Sequence, residues 1–350
     1  MASRLVLHLG SMKSGTSFVQ NVLGQNRERL AEQGVLFPGP RWRAQVQGVR
    51  ELIGAGGPKQ EPIRPDGPWQ RIVDEVNAWD GVAVVSMEFL APRPRVKIRQ
   101  LMADFPDTQV QAVLTCRDLG RNVPAMWLES VQTGGTTEWR DYLEGVRRRT
   151  RERAARNFWK HQDIPAIAER WAGELGQENL TLVTVPHKGA APDLLWRRFA
   201  EAVGIDAEGY DLKVRANKAI GLASALVLLR MNQSYDAEAG QMPPHYDEFV
   251  KHKLAKRGLA LHSDREPRLG LSASWVAKEA DKQVKTLTGA GYRVVGDLDE
   301  LRATRVPGIH ADEVTQEQLM DAAVAALAQS VESWADNERR LRRRLRRAQA

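Results

Sequence analysis

The chain has 350 residues, of which 42% are hydrophobic and 27% charged, a composition typical of a globular protein rather than a disordered or membrane-embedded one. No apolar run reaches the roughly 18 residues that a membrane span needs. The opening residues, MASRLVLHLG, resemble a strand rather than a signal peptide, so we expect a cytoplasmic protein. The single cysteine, Cys116, cannot form an intrachain disulfide or by itself build a thiolate metal site.

The positive charge is concentrated at the end of the chain. The net charge is +7, and residues 338–350 alone contain seven Arg and one Glu, so the rest of the chain is nearly neutral. A basic tail can meet nucleic acid or an anionic membrane surface. We favour a solvated extension of a terminal helix and expect no specific nucleic-acid partner.

Apolar runs alternate with amphipathic segments over the first two thirds of the chain. The runs predict buried strands at residues 4–9, 82–86, 110–116 and 180–185, and the segments predict helices at 14–33, 122–131, 137–146, 165–175 and 194–203. Such alternation implies parallel strands with helical crossovers. We therefore predict an α/β fold with a P-loop-like, doubly wound parallel sheet flanked by helices. Ligands of such sheets bind beyond the carboxyl ends of the strands.

Two regions depart from this alternation. Residues 39–68 are rich in Gly and Pro, carry Trp42 and Trp69 near their ends and predict a long loop or lid. After Gly204 the pattern is mainly helical, with helices predicted at 219–231, 245–257 and 272–287 and a long one from 312 to the end. We expect one domain over residues 1–310 and a helical extension over 311–350. This amphipathic helix could pair with a second copy in a homodimer or fold back on its own chain.

The most informative stretch is LHLGSMKSGTSFVQ, residues 7–20. A strand ends there, a turn containing Gly10 and Gly15 follows, and a helix opens with Thr16 and Ser17. Backbone N–H groups of such a turn and the positive end of the helix dipole together form an anion site. The sequence therefore predicts phosphate binding at this turn.

The position of the lysine decides between kinds of phosphate chemistry. Gly10 and Gly15 have the spacing of a Walker A loop, but Thr16 stands where that loop has its lysine, and Lys13 lies two residues before Gly15. No Asp ends the second or third predicted strand to hold magnesium. A kinase that uses Mg-ATP is thus the weaker alternative, and a non-catalytic nucleotide-binding or assembly protein is another.

The order Lys-Ser-Gly-Thr-Ser after the first strand resembles the 5′-phosphosulfate loop of sulfotransferases, which use 3′-phosphoadenosine 5′-phosphosulfate (PAPS). The stretch CRDLGRNVPAMW after the third strand is similar to the 3′-phosphate region of that family. LAEQGVLFPG and VPHKGAAPDLLWRRFAEAVGID resemble an actinobacterial-type branch of it. The resemblance implies transfer of a sulfuryl group from PAPS, without a metal, to a hydroxyl or amine of a small-molecule, carbohydrate or lipid acceptor.

The resemblance also implies roles for particular residues. Lys13 would hold the oxygen that bridges phosphate and sulfate, stabilising the charge that develops there. The neighbouring Ser14, Gly15, Thr16 and Ser17 would bind the 5′-phosphate. Arg117 and Arg121 would bind the 3′-phosphate, for which bidentate guanidinium geometry is suited.

The sequence departs from the family pattern at two places. A serine usually stands about eight residues after the first arginine of the 3′-phosphate region, and here Ala125 follows Pro124 at that position. A glycine-rich loop that closes over the nucleotide in many members has only Lys188–Gly189 as a weak counterpart.

The acceptor must lose a proton as it attacks sulfur, so the reaction needs a general base. Glu88 follows the second predicted strand and is the first candidate, by similarity to sulfotransferases with a carboxylate or histidine there. His8, on the first strand, is the second candidate. An aromatic acceptor site could be lined by four tryptophans: Trp42, Trp69, Trp127 and Trp139.

Overall fold

A computed structural model describes residues 2–54, 64–214, 219–239, 242–256, 258–261 and 263–349. The chain divides into two compact units. The first comprises Met1–Asn122, Trp159–Arg215 and Ser274–Thr304, and the second comprises Val123–Phe158, Ala216–Ala273 and Arg305–Ala350. Residues 305–350 share the second unit with segments from the middle of the chain.

The first unit is built on one parallel sheet. The described residues form six strands in it: β1 (Arg4–His8), β2 (Val35–Leu36), β3 (Val82–Ser86), β4 (Gln109–Cys116), β5 (Leu180–Thr184) and β6 (Arg293–Val295). Their order across the sheet is β2-β3-β1-β4-β5-β6, and each neighbouring pair is parallel. The predicted doubly wound parallel sheet is confirmed, and the four predicted strands are its four inner strands.

α-Helices occur in both units. They are α1 (Thr16–Gln25), α2 (Arg27–Glu32), α3 (Trp42–Leu52), α4 (Pro68–Ala78), α5 (Arg95–Ala103), α6 (Leu119–Gln132), α7 (Trp139–Arg148), α8 (Arg153–Gln162), α9 (Ile164–Leu175), α10 (Leu194–Val203), α11 (Leu222–Ala239), α12 (Ser274–Ala290) and α13 (Gln316–Gln349). A π-helix spans Asp247–Ala255. The expectation of a mainly helical C-terminal part is therefore confirmed.

The apolar runs become strands because both faces of the sheet are buried. One core lies between the sheet and α3, α4, α5, α9 and α12, and the other between the sheet and α1, α2 and α10. Strand β5 is buried at every position, which explains why its sequence lacks polar alternation. No described helix has both the length and the apolarity needed to span a membrane.

The loop predicted over residues 39–68 is wrong where it is described, since α3 occupies Trp42–Leu52 and α4 begins at Pro68. Residues 55–63 lie outside the described residues. The glycine at position 48 serves close packing rather than flexibility: a Cβ atom on Gly48 would lie 3.1 Å from the carbonyl oxygen of Pro68. Gly48 therefore allows α3 to pack against α4.

The single helix predicted over residues 14–33 is two helices, α1 and α2. Asn26 separates them with a non-helical backbone, and its Nδ2 donates to the carbonyl oxygen of Val22 at 2.8 Å. Such local side-chain hydrogen bonds compete with helix continuation. Strand β2 and helices α5 and α8 were not predicted; β2 has only two residues, and α8 carries many polar residues.

The second unit has its own aromatic packing. The rings of Trp127 and Trp139 lie 5.4 Å apart, and Trp139 stacks on Tyr142 at 5.9 Å. Asn232 of α11 donates to the carbonyl oxygens of Val131 at 2.8 Å and Gly135 at 2.9 Å. These contacts join the end of α6 to α11 within this unit.

Candidate anion-binding and active site

The loop of residues 9–15 leaves β1 at the carboxyl edge of the sheet, between β3 and β4. His8 at the end of β1 is level with Ser86 of β3 and Val113 of β4. The loop continues along β4: Leu9 N donates to Val113 O and Ser11 N to Thr115 O, both at 2.9 Å. The predicted phosphate loop thus begins where open α/β sheets bind their ligands.

The backbone carbonyl oxygens of this loop are turned toward the protein. Three consecutive carbonyls accept hydrogen bonds from side chains: Ser11 O from Ser14 Oγ at 2.6 Å, Met12 O from Gln162 Nε2 at 2.8 Å, and Lys13 O from Arg117 Nη1 at 3.0 Å. The N–H groups of Ser11 and Ser14 are also bonded within the protein, so an anion would be bound by other backbone N–H groups of this turn.

Helix α1 adds its amino terminus to the loop. Its N-cap residue is Gly15, with φ of 81°, and no side chain caps the helix there. The first N–H groups of an α-helix have no partner within the helix, so those of Thr16 and Ser17 can bind an anion. A Cβ atom on Gly15 would meet only the movable Cδ2 end of Leu195, at 2.5 Å, so it is the φ angle of 81° that favours glycine here.

Lys13 has an unusual backbone conformation for a residue with a side chain. Its φ angle is 67°, in the left-handed region, where a non-glycine residue costs about 1–2 kcal/mol. The hydrogen bonds to Met12 O and Lys13 O hold the loop in this conformation. Strain of this kind at a named residue indicates a functional constraint.

A buried chain of hydrogen bonds fixes the loop to β3 and β4. Because Ser14 Oγ donates to Ser11 O, it accepts from Thr115 Oγ1 at 2.8 Å. Thr115 Oγ1 then accepts from His8 Nε2 at 3.3 Å, and His8 Nδ1 accepts from Ser86 Oγ at 2.7 Å. This order of donors places the imidazole proton on Nε2.

His8 therefore positions the loop and does not fit the role of general base. It is fully buried, both ring nitrogens bond to hydroxyl groups, and burial lowers the pKa of its imidazole to about 3. The expectation of His8 as the second candidate base is corrected in this respect. The hydrogen-bond partners of His8 are hydroxyl groups on β3 and β4, the two strands that flank β1. The sequence alone does not show that these strands are neighbours of β1.

The hydroxyl residues of the loop divide into two groups. Ser14 and Thr16 are buried, and Ser14 Oγ belongs to the chain just described. This placement argues against the Ser14 hydroxyl as a phosphate donor. Ser17 in the first turn of α1 is exposed, so its side chain is accessible to a ligand.

Glu88 lies at the same edge of the sheet as the loop. It follows β3 by two residues and is half-buried, and its Oε2 accepts from Gln20 Nε2 at 3.1 Å. Gln20 belongs to α1 and also donates to Ser86 O at 3.2 Å. The carboxylate is thus oriented by the helix that follows the loop, and it remains the candidate base.

The two predicted 3′-phosphate ligands have different surroundings. Arg121 forms an ion pair through Nε with Asp118 and donates through Nη1 to Pro186 O at 3.0 Å and through Nη2 to Val185 O at 3.3 Å. These contacts use one N–H group of each guanidinium nitrogen, so a phosphate would have to bind the second N–H group of Nη1 or Nη2. The carbonyl partners follow β5, far away in sequence, so the sequence alone did not reveal them.

Arg117 lies beside the loop. Its Nη1 donates to Lys13 O, and burial, reinforced by the charge of Arg121, lowers the pKa of its guanidinium to about 10. Asp118 pairs with Arg121. Arg117 remains a cation at neutral pH and a candidate ligand for a phosphate next to the loop.

Arg93 and His161 are candidate site residues that sequence reasoning missed. Arg93 Nε and His161 Nδ1 are buried and have no hydrogen-bond partner among the described residues. Burial, together with the charges of Lys160 and Arg93, lowers the pKa of His161 to about 4. His161 precedes Gln162, which holds Met12 O. Unsatisfied buried nitrogens near an anion loop are typical of a ligand site.

A sequence signal for this segment existed at the start of α9. Asp163 is the N-cap residue, its Oδ1 accepts from Ala166 N at 3.3 Å, and Pro165 lies in the first turn. This pattern marks a helix start, and the residues just before a helix start are available to a site. Helix α8, which precedes α9, was not predicted because it carries many polar residues.

The predicted aromatic acceptor site is wrong for three of its four tryptophans. Trp69, Trp127 and Trp139 are each at most 2% exposed. Trp69 donates through Nε1 to Asp104 Oδ2 at 2.7 Å, and Trp127 to Thr137 O at 3.0 Å, so both are satisfied core residues. Trp42 differs: it is half-buried and donates to Ser86 O at 3.1 Å, near Glu88.

The two places where the sequence departs from the sulfotransferase pattern lie within the described residues. Lys188 and Gly189 lie exposed in the turn after β5, and a Cβ atom on Gly189 would meet nothing within 4 Å. Pro124 lies inside α6 together with Ala125. Across the described ranges, no group of three or more His, Cys, Asp and Glu side chains is placed to hold a metal ion.

Comparison with known proteins gives one distant structural likeness. The chain is similar to the crystal structure of a sulfotransferase from Alicyclobacillus acidocaldarius, with 14% sequence identity and a TM-score of 0.42 over 71% of this chain and 100% of that one. No protein-family model matches the chain, and no curated protein sequence matches it. A likeness of this size does not establish an activity, which must be argued from the site residues.

Proposed function

We propose that the protein is a sulfotransferase that moves a sulfuryl group from PAPS to a hydroxyl or amine of an acceptor. The observation that carries the proposal is the loop after β1, whose carbonyls at positions 11–13 are all bonded to the protein and which leads into an uncapped helix. An anion of the size of a phosphosulfate suits the N–H groups of such a loop. Lys13, within the loop, supplies the charge for the bridging oxygen.

The position of Lys13 favours sulfuryl over phosphoryl transfer. A Walker A loop presents its lysine from the first turn of the helix and holds magnesium with the next hydroxyl. Here Thr16 begins the helix and is buried. The nearby carboxylate of Asp118 is fully buried and paired with Arg121, which leaves it poorly placed to serve a magnesium nucleotide.

The proposed reaction is an in-line displacement at sulfur. The acceptor oxygen or nitrogen forms a bond to sulfur while the bond from sulfur to the bridging oxygen breaks, and 3′-phosphoadenosine 5′-phosphate leaves with the electron pair. Lys13 and the loop N–H groups stabilise the charge on the leaving group. Glu88 accepts the proton that the acceptor loses.

Arg117 is the proposed ligand of the 3′-phosphate, and Arg93 and His161 add positive or donor groups toward the bound nucleotide. Their buried nitrogens without a partner support this assignment. We further propose that the acceptor is a small molecule, carbohydrate or lipid, that the reaction needs no metal, and that the protein acts in the cytoplasm.

The experiment is a turnover assay of the full chain with PAPS and a panel of phenols, sugars and lipids. Formation of 3′-phosphoadenosine 5′-phosphate is followed by mass spectrometry, and Mg-ATP replaces PAPS in a parallel series. We expect product from PAPS with at least one acceptor class. Transfer from Mg-ATP alone would place the protein among kinases, and binding without turnover of either donor would make it a nucleotide-binding protein.

A further inference from the structure

Helix α13 carries a row of large apolar side chains on its exposed side. The members are between 54% and 75% exposed and are Met320, Val324, Leu327, Val331, Trp334 and Leu341. Their spacing alternates between four and three residues, with Glu338 at the position between the last two. This is the spacing of the a and d positions of a coiled coil.

The row is not the side by which α13 packs on its own unit. Ala322 and Ala326 are buried, and α13 contacts α11, the π-helix and Leu259–Leu261. Residues two positions apart on an α-helix point in nearly opposite directions, so Ala322 faces away from Met320 and Val324. The helix therefore has two apolar sides, of which one is covered within the chain and the other is exposed.

An exposed apolar row of this length requires an explanation, because water-exposed apolar patches usually mark interaction sites. From Met320 to Leu341 the row extends over about 32 Å of helix, at about 1.5 Å per residue. The strict alternation of spacing suits another helix rather than a flat or irregular surface.

The charges along α13 indicate which helix fits. Residues 316–338 contain five Asp and Glu and no Lys or Arg, whereas residues 339–349 contain seven Arg and no acidic residue. Two copies of this helix side by side in the same direction would bring the two Arg-rich segments together. In opposite directions, each Arg-rich segment would lie along the part of the other copy that contains Glu317 and Asp321. Opposite charges in that arrangement favour the antiparallel pair.

We propose that α13 is the interface of a homodimer, in which the exposed rows of two copies pack as an antiparallel coiled coil. With Val331 of each copy level with Trp334 of the other, the seam runs from Val324 to Leu341 of both copies. Val324 of each copy then lies level with Leu341 of the other. Glu338 then lies level with Leu327 of the other copy, and its Oε1 accepts from Arg342 Nε of its own chain at 2.8 Å.

An anionic lipid surface is the other partner that an apolar row with a tryptophan and arginines could meet. The first part of the row argues against it, because Asp321, Glu332 and Asp336 are exposed along that segment and would be repelled by anionic headgroups. Binding to lipid is therefore an outcome that the experiment must separate from pairing.

The first test measures the mass of the full chain in solution by light scattering after size exclusion. We expect twice the 39.2 kDa of one chain. The double change Val331→Lys with Trp334→Lys should weaken self-association by more than about 100-fold, since the lysines of the two copies would face each other inside an apolar seam. The control Val96→Lys alters an exposed apolar residue of α5 in the first unit and should stay dimeric.

Circular dichroism and thermal unfolding of each variant show whether it is folded, so loss of the dimer through misfolding is distinguishable. A wild-type chain that remains monomeric at every concentration would overturn the proposal. So would sedimentation with phosphatidylserine vesicles by a chain that does not self-associate.

The second test establishes the orientation by oxidative cross-linking. Cys116 is fully buried and does not interfere. Chains with Val324→Cys mixed with chains with Leu341→Cys should form a mixed disulfide dimer, whereas Val324→Cys alone should not. A disulfide dimer of Val324→Cys alone would show a parallel pair and overturn the antiparallel arrangement.

Discussion

The loop after β1 and the last part of α13 both carry positive charges or hydrogen-bond donors. They differ in that the loop is fixed by hydrogen bonds, whereas the end of α13 is exposed. In the loop, Ser11, Met12 and Lys13 each have a carbonyl bonded to a side chain, and Ser14 belongs to a buried chain of hydrogen bonds. In α13, every residue from Glu338 to Arg343 is exposed.

The difference shows how fixed geometry and surface charge serve different purposes. A loop with its carbonyls bonded presents N–H groups in a fixed direction before a ligand arrives, which is what electrostatic stabilisation of a reaction requires. An exposed arginine segment is screened by salt and suits association with a charged partner. The loop is thus the candidate reaction site and α13 the candidate interface.

Removing the charge in the loop has the largest expected effect. Lys13→Ala should lower kcat for sulfuryl transfer by about 10³-fold, because the developing negative charge loses its cation, and should leave thermal unfolding nearly unchanged. The control Lys285→Ala removes an exposed lysine on α12 and should keep full turnover. Equal kcat in the two variants would contradict the role of Lys13.

Glu88→Gln separates proton transfer from binding. The glutamine can keep a hydrogen bond with Gln20 but cannot accept the acceptor's proton, so kcat should fall by about 10²-fold. The affinity for 3′-phosphoadenosine 5′-phosphate, measured by calorimetry, should stay the same. A variant with unchanged kcat would require another base.

Acid should destabilise the protein through the buried residues His8 and His161. The folded-state pKa of His161 is lowered to about 4 and that of His8 to about 3, so below pH 6.5 the unfolded chain takes up protons that the folded chain does not. The free energy of unfolding should therefore fall as pH decreases from about 6.5 toward 4, by up to about 1.4 kcal/mol per pH unit for each histidine.

Urea unfolding at several pH values measures this dependence. In His161→Asn, the free energy of unfolding should change less steeply with pH, because one histidine no longer takes up a proton on unfolding. The contribution of His8 should remain. A variant whose slope matches that of the wild type would show that His161 is protonated alike in both states.

Thr115→Val breaks the buried chain without changing side-chain shape. His8 Nε2 and Ser14 Oγ would each lose a partner, so the free energy of unfolding should decrease by about 1–3 kcal/mol and nucleotide affinity should weaken. Thr181→Val, at a buried position on β5, is the control for the loss of a buried hydroxyl. If only Thr181→Val weakened nucleotide binding, the buried chain of hydrogen bonds through Thr115 would not be what positions the loop.

Removing residues 339–350 should have the smallest effect on the site. These residues are exposed where their side chains are described, so the affinity for 3′-phosphoadenosine 5′-phosphate should change by less than about twofold. Self-association, measured by light scattering, should weaken because Leu341 and the arginines are gone. A loss of nucleotide binding would assign the tail to the site instead.

The sequence predicted the features that depend on local pattern. The inner strands follow from continuous apolar runs, α10 has the predicted bounds and ends at Gly204 with φ of 79°, and the loop follows from Gly10, Lys13 and Gly15 at the end of a strand. The bonded carbonyls of the loop could not be predicted, because Gln162 and Arg117 come from segments more than 100 residues away.

The wrong expectation for Trp69 has the same origin. Its partner Asp104 is brought close only by the fold, as Pro186 is for Arg121. The sequence shows which chemical group a residue carries. Whether that group can bind a ligand depends on which residues, distant in sequence, already form hydrogen bonds with it.

Calorimetric titration of the full chain with 3′-phosphoadenosine 5′-phosphate, with Mg-ATP as the competing ligand, shows which nucleotide the loop binds. We expect tight binding of 3′-phosphoadenosine 5′-phosphate that is weakened in Lys13→Ala and Arg117→Ala and kept in Lys285→Ala. Binding of Mg-ATP alone, or of neither nucleotide, would contradict this expectation.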